Sequence, residues 1–480
     1  MRRQVSLAAV PLLAWTLAAC QMVPATGREG FNIVPPAQEA AMGAEAHPDI
    51  LKEFGGAYDD PLVQAYVAGI GQRLGQASAT PAADFRFTVL DSPIVNAMAL
   101  PGGYVYVTRG LLVLADNEAE LAGVLAHEIG HVTARHSSQR ISRAAVGDLL
   151  AGVVGAVVGV PGVGDIAQLG AGAYLQSFSR DQETEADQLG IATMSQAGYD
   201  PHAMASFLDK LYQQSRLEAL LAGRSPDDAD QFNFMASHPR TKERVQAAAA
   251  ATAGAVRGGA QGRDELLAHV DGVTYGSDPK QGIIRERVFL HPDLGIRFEV
   301  PTGFTLVNGE DKVTASSPKG GAIQFDTDQG SGDMTTYLGQ RWGAKLRLSG
   351  VEAIDVNGLP AATAKARVQS ESGPADVRLV AVDGGGGTVY RFLFISKAND
   401  ASFDEAYKRT TYSLRRLTTQ ESAAIRPLKV DVVTVRSDDS AESLAARMAA
   451  PDHKLERFRV LNGMGGGQAL PAKVKLVVEG

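Results

Sequence analysis

The sequence predicts a multidomain fold: a mostly helical domain built round a metal motif and carrying a small edge-strand sheet, then an α+β domain, then a small strand–helix–helix–strand module. Three observations predict it. At 480 residues the chain is too long for one hydrophobic core, and about two to four domains are usual at that length. The stretch HEIGHVTARH at 127–136 places three histidines and a glutamate at the end of an apolar helical run. Beyond the alanine- and glycine-rich stretch 247–264 the apolar spacing changes from helical to alternating.

The beginning of the chain, MRRQVSLAAVPLLAWTLAAC, has two arginines, an apolar stretch too short to span a bilayer, and small residues before a cysteine. That is the form of a secretory signal, assigned to 1–19. Cys20 is the single cysteine, so no intramolecular disulfide can form. LAAC resembles a bacterial lipobox, which implies that Cys20 is lipidated and anchors the protein to a membrane it does not span. Gln21 stands where an aspartate would argue for inner-membrane retention, so the resemblance implies an outer-membrane lipoprotein facing the periplasm. Residues 20–40 hold three prolines and are expected to be a tether.

From 41 to 250 the pattern is mainly helical. FRFTVLDS at 85–92 alternates like a strand, and a Pro-Gly-Gly turn leads into a short strand at Tyr104–Thr108. Asn117 and Glu120 have capping-box spacing at the head of the helix that carries the motif. The uncharged run LLAGVVGAVVGVPGVG at 149–164 is too short and too broken to span a bilayer. It is expected to be a packed or mobile excursion beside the site, or else a contact with a membrane or a membrane-protein client. Residues 251–279 are expected to be a linker. Strand-like runs around the glycine turn DGGGG, with a helix at MTTYLGQRWGAKL, predict the α+β domain at 280–420. Residues 427–480 have strand, helix, helix, strand order.

Composition narrows the function classes. Hydrophobic residues make up 45% and charged residues 21%, as in ordinary globular proteins. The net charge of −8 and the lack of a basic stripe give no reason to expect a nucleic-acid partner.

The chemistry rests on His-Glu-x-x-His. At about 100° per residue, His127 and His131 fall on one helical face about 40° apart, so both imidazoles can reach one zinc, with Glu128 beside them. A catalytic zinc of this kind takes three protein ligands and a water. His136 comes out about 180° away on a continuous helix and is expected at the surface. The third ligand must therefore lie farther along. In SFSRDQETEADQLG, Glu183 and Asp187 share a helical face: Glu183 can bind the metal, and Asp187 can accept the free N–H of a ligating histidine. Glu185 points away from that face. Taken alone, this stretch would be a solvated acidic face.

HEIGH followed by SR-x-x-E-x-E-A-D resembles the membrane-associated zinc peptidases of the gluzincin type, a group that includes the CaaX prenyl protease and the periplasmic β-barrel assembly-enhancing protease. The resemblance covers about residues 25–250 and implies a zincin-like metallopeptidase domain with one zinc. It implies His127, His131 and Glu183 as ligands, Glu128 as catalytic acid/base and Asp187 as their support. NAMALPGGYVYVTRGLL resembles the segment that supplies the family's substrate-pairing edge strand. Ser237, His238 and Pro239 match a family Ser-His-Pro; His238 then either stabilises the oxyanion or fills a fourth zinc position and keeps the enzyme latent, while the plain alternative is a helix cap. Arg244 is expected to be structural, and His47, His202, His269, His291 and His453 are given no role. The last module resembles LysM, with Leu461-Asn462-Gly463 at its turn, but SDDS stands where Gly-Asp-Thr is usual.

These readings imply a zinc metalloendopeptidase of envelope quality control, acting on unfolded or misassembled envelope proteins. Two rivals are a chaperone-like or peptidoglycan-associated binding protein on a peptidase scaffold and a cell-wall hydrolase guided by the LysM-like tail.

Overall fold

The computed structural model describes residues 20–23, 25, 27–80, 83–143, 177–221, 225–227, 238, 241–254, 258–309, 312–370, 373–450 and 452–480. The signal-like segment 1–19, the run 149–164, Ser237 and Pro239 lie outside them. The chain divides into two compact units. One holds the residues up to Val273 together with Lys429–Val478; the other holds Thr274–Leu428 and the last two residues.

The first unit opens with a hairpin, β1 (Cys20–Val23) against β2 (Arg28–Phe31), and then helix α1 (Pro36–Glu53). The expected tether thus already contains a hairpin and the first turn of a helix. Its prolines misled: Pro36 stands at the first helical position, where its missing N–H costs nothing and its fixed φ favours the helix. After α2 (Pro61–Ala77) come β3 (Arg86–Leu90), β4 (Ala97–Leu100) and β5 (Tyr104–Thr108). Their spatial order is β3-β5-β4, with β3 parallel and β4 antiparallel to β5, so β4 lies at an edge. Thr108 caps α3 (Arg109–Leu114), and Asn117 caps α4 (Glu118–Thr133), its side chain accepting from the Glu120 amide at 2.9 Å. Glu120 reaches one residue farther back than the reciprocal box requires and accepts from the Asp116 amide at 2.8 Å. Every residue of α4 except Val132 is buried.

Helices α5 (Arg180–Gln196), α6 (Ala203–Leu221), α7 (Thr241–Thr252) and α8 (Arg263–Val270) follow. Helix α8 lies inside the expected linker. Its flanking alanines and glycines masked an apolar face, since Leu266, Leu267 and Val270 are buried.

In the second unit, the described residues form a seven-stranded antiparallel sheet. One of its hairpins, Gly373–Gly385 with Thr388–Lys397, turns at the predicted glycine run. Phe298, Phe325, Phe392 and Phe394 pack in its core.

The chain then returns to the first unit through β6 (Leu428–Thr434), α9 (Ala441–Ala446), α10 (Lys454–Leu461) and β7 (Lys473–Glu479). The order of elements is the one expected, but Lys429–Val478 do not stand alone. Lys475 is fully buried and donates to the carbonyls of Val113, Leu114 and Ala115 at 2.8, 3.2 and 2.7 Å. These are acceptors at the C-terminal end of α3, which the helix itself leaves unpaired. Lys210 of α6 donates to the Leu114 carbonyl at 3.0 Å and pairs with Asp116. Asn462, at the predicted turn, accepts from the Lys475 amide at 2.7 Å and donates to its carbonyl at 2.9 Å.

Candidate metal centre

Helices α4 and α5 approach closely because glycines face the contact. A Cβ on Gly130 would meet the Ala186 carbonyl oxygen at 2.9 Å, and one on Gly190 would meet the His127 backbone nitrogen at 3.2 Å. Ser179 starts α5 with a capping box to Gln182, which turns Glu183 and Asp187 inward.

The result is a buried group of four metal-competent side chains, the one such group among the described residues: His127, His131, Glu183 and His238, with donor atoms within 4.8 Å of one another. The Nε2 atoms of His127 and His131 are 3.0 Å apart. Glu183 reaches both, its two oxygens 3.6 Å from His127 Nε2 and 3.6 Å from His131 Nε2. Two donors of one tetrahedral zinc, each about 2.0–2.1 Å from the metal, would lie about 3.3 Å apart. The set therefore fits zinc in spacing and in donor type. His238 Nδ1 is 2.9 Å from Glu183 Oε1 and 3.4 Å from His127 Nε2, on the same side of the group.

Glu128 is fully buried; among the described residues neither of its oxygens has a hydrogen-bond partner, and His238 Nε2 lies 3.7 Å from its Oε1. A buried carboxylate without a hydrogen bond is costly, and one at the wall of a metal-competent cluster is placed to transfer protons. Burial raises its carboxyl above the usual range, against the pull of His238 and His127.

Asp187 stands 2.9 Å from His127 Nδ1, on the far side of the ring from the metal group. Arg244 holds Asp187 by two bonds of 2.8 and 2.7 Å, and its Nη1 lies 2.7 Å from Glu183 Oε2. Burial works to raise the Glu183 carboxyl, but His238 and Arg244 outweigh it and hold it down at about 2. Burial also pushes His238 down, but the Glu183 and Glu128 carboxylates outweigh it and keep it above the usual histidine range. Arg244, expected to be structural, is thus the counterion of two site carboxylates.

His136 corrects its expectation outright: it is fully buried, not at the surface. Helix α4 stops at Thr133, and Arg135 takes a left-handed φ of 57°. The Arg135 guanidinium fixes that turn on Glu39 and, at 2.6 Å, on the Val34 carbonyl. Helix resumes at His136 after this break, and His136 Nδ1 comes to 2.9 Å from His131 Nδ1. The helical phase angle used to place it does not survive the break. Glu185 does point away from the metal group, and its carboxylate lies 3.0 Å from His136 Nε2. The signal for this pair was the second glutamate of ETE, which sequence reasoning left without a task. Among the histidines given no role, His47 pairs with the Tyr106 hydroxyl and His202 with Asp200.

Comparison with known proteins agrees with this geometry. Residues 61–252 match Peptidase family M48. The beta-barrel assembly-enhancing protease of Yersinia pestis is 34% identical over 244 residues, 46% of this chain and 50% of that one. Its namesake in Escherichia coli K12 is 30% identical over 234 residues, 46% and 45% of the two chains. The mitochondrial metalloendopeptidase OMA1 of Schizosaccharomyces pombe is 30% identical over 233 residues, 47% and 64%. The chain spans about half the length of the first two relatives. His127, His131, Glu183 and His238 thus come together as one buried, metal-competent group, with Glu128 beside them, inside the segment 61–252 that matches Peptidase family M48.

Proposed function

We propose that the chain is a zinc-dependent metalloendopeptidase of the periplasm, lipid-anchored to the outer membrane through Cys20, that cuts misfolded or misassembled envelope proteins. The observation that carries the reading is the convergence of His127, His131 and Glu183 beside the buried carboxylate of Glu128, which has no hydrogen-bond partner among the described residues. The similarity to bacterial beta-barrel assembly-enhancing proteases supports envelope proteins as the substrate class.

When bound, zinc supplies Lewis acidity that polarises a peptide carbonyl and makes water acidic near neutral pH. His127, His131 and Glu183 would hold it, and Asp187 would keep the His127 Nδ1 proton on the opposite side of the ring. Glu128 removes a proton from water and delivers it to the leaving amine, general acid/base help worth about 10²–10⁴-fold. β4 packs against α4 and lies at the sheet edge, where extended substrate backbone can add as a further strand. Among the two active roles open to His238, its position favours the fourth donor, which makes the arrangement described here a resting state that substrate must displace.

The test compares the protein with its Glu128→Gln variant on unfolded casein, with zinc content measured on both. Zinc in both and cleavage by the parent alone is the expected result. Zinc in both with cleavage by neither would favour latency, and His238→Ala should then release activity. Failure of the parent to hold zinc after reconstitution overturns the peptidase reading in favour of a binding protein.

A second reading concerns the C-terminal module. A cleft of about 400 Å³ lies between the loop after β6 and the loop before β7, lined among others by Arg436, Asp439, Arg459 and Gln468. This supports glycan recognition by a LysM-like tail. Lack of binding in a pull-down on purified peptidoglycan would remove it.

A further inference from the structure

The two histidine ligands are held differently. His127 meets a carboxylate directly, Asp187, which is itself pinned by Arg244. Among the described residues, His131 meets no carboxylate on its outer nitrogen. It meets His136, at 2.9 Å between Nδ1 atoms, and His136 in turn meets Glu185 at 3.0 Å.

We propose that Glu185 and His136 form a positioning pair that fixes the tautomer and ring orientation of the zinc ligand His131. The inference rests on the metal reading above and deepens it. The proton order follows from which groups can donate. An ionised carboxylate only accepts, so His136 must give its Nε2–H to Glu185. That leaves the His136 Nδ1 lone pair as acceptor, so His131 must give its Nδ1–H to His136. The remaining lone pair of His131 is then on Nε2, the atom 3.0 Å from His127 Nε2 and facing the metal group. Each link sets the next, and the opposite assignment at either ring would put two protons, or two lone pairs, between nitrogens 2.9 Å apart.

Other features of the site act in the same direction. Phe178 stacks on the His131 ring at 4.0 Å between centroids and 25° between planes, with Arg140 over its ring at 4.7 Å. The ring is thus held on its face as well as its edge. The left-handed turn at Arg135 is what brings His136 to His131, and its two anchors on the α1 side give that backbone conformation its support. Glu183 and Glu185, two apart on α5, therefore act on opposite sides of His131: one on the metal, one through His136.

The test measures zinc affinity of the full chain by chelator competition, and the absorption spectrum of the cobalt(II)-substituted protein, for His136→Leu, His136→Asn and Glu185→Gln. The Asn oxygen can take the place of the Nδ1 acceptor. His136→Leu is expected to weaken zinc binding about 10–100-fold and to alter the cobalt bands. His136→Asn should recover much of both, and Glu185→Gln should fall between parent and His136→Leu. Thermal melts of the metal-free proteins separate a positioning role from a packing one. Unchanged zinc affinity in His136→Leu, or a loss that Asn does not rescue and that tracks the metal-free melting temperature, overturns the pair while leaving the zinc site standing. A parent protein that binds no zinc overturns both.

Discussion

Arg244 shows how much of this site depends on one residue. Its guanidinium faces Asp187 and Glu183 at once, in a pocket where all three are buried. Arg244→Met should therefore leave Asp187 without its guanidinium and Glu183 with His238 alone, and cost about 3–5 kcal/mol in the metal-free protein, read by urea unfolding. The same pairing has a pH signature. With the Glu183 carboxyl held at about 2, below its unfolded value of 4.5, its contribution to stability is present above pH 4.5 and lost as pH falls toward 2. Metal-free thermal melts across that window should show the decline, and Glu183→Gln should flatten it. At this scale the metal motif was legible because His-Glu-x-x-His is local and helical spacing dictates its geometry. Arg244 was not, since it meets Asp187 across 57 residues with no periodic trace. His136 was misplaced because phase angles hold only while the helix continues.

Among the elements, the meeting of α4 and α5 decides whether Glu183 reaches the histidines at all. Gly130 belongs to the His-Glu-x-x-His stretch but has no side chain to offer; it leaves room for the Ala186 carbonyl. Gly130→Ala should force the helices apart, destabilise the protein by about 1–3 kcal/mol and lower zinc affinity, as measured by unfolding and chelator competition. A substitution at Gly198, where nothing lies within 4 Å, meets no such packing clash, although its φ of 84° would strain any other residue. The strands and long helices were legible from alternation and apolar spacing. The short elements inside the expected tether and linker were not, because proline and alanine content outweighed three or four apolar positions in the reading.

For the whole molecule, the notable arrangement is that Lys475, near the end of the chain, lies under the carbonyls of residues 113–115, near its first quarter. A contact across 362 residues leaves no mark in local sequence, and the C-terminal module was accordingly expected to be separate. Burial takes Lys475 down to about 7, with Asp116 pulling it up, Lys210 pushing it down, and Glu120 and Arg263 acting more weakly. The unfolded chain keeps that proton up to the ordinary lysine value of 10.5, so stability should rise with pH between about 7 and 10. Lys475→Met should remove that part of the slope in melts run across the same range.

The clasp also sets an order of assembly. The 274–428 unit is inserted, in sequence, into the first one. A ribosome adding about 5–20 residues per second needs roughly 10–40 s to travel from residue 273 to residue 475. Throughout that interval the helix bearing His127 and His131 is already made, yet the segment leading into it lacks the ammonium that ties its carbonyls. The inserted unit has its whole sheet in hand first. The carbonyl end of α3 therefore gains its lysine only after the inserted unit has been made.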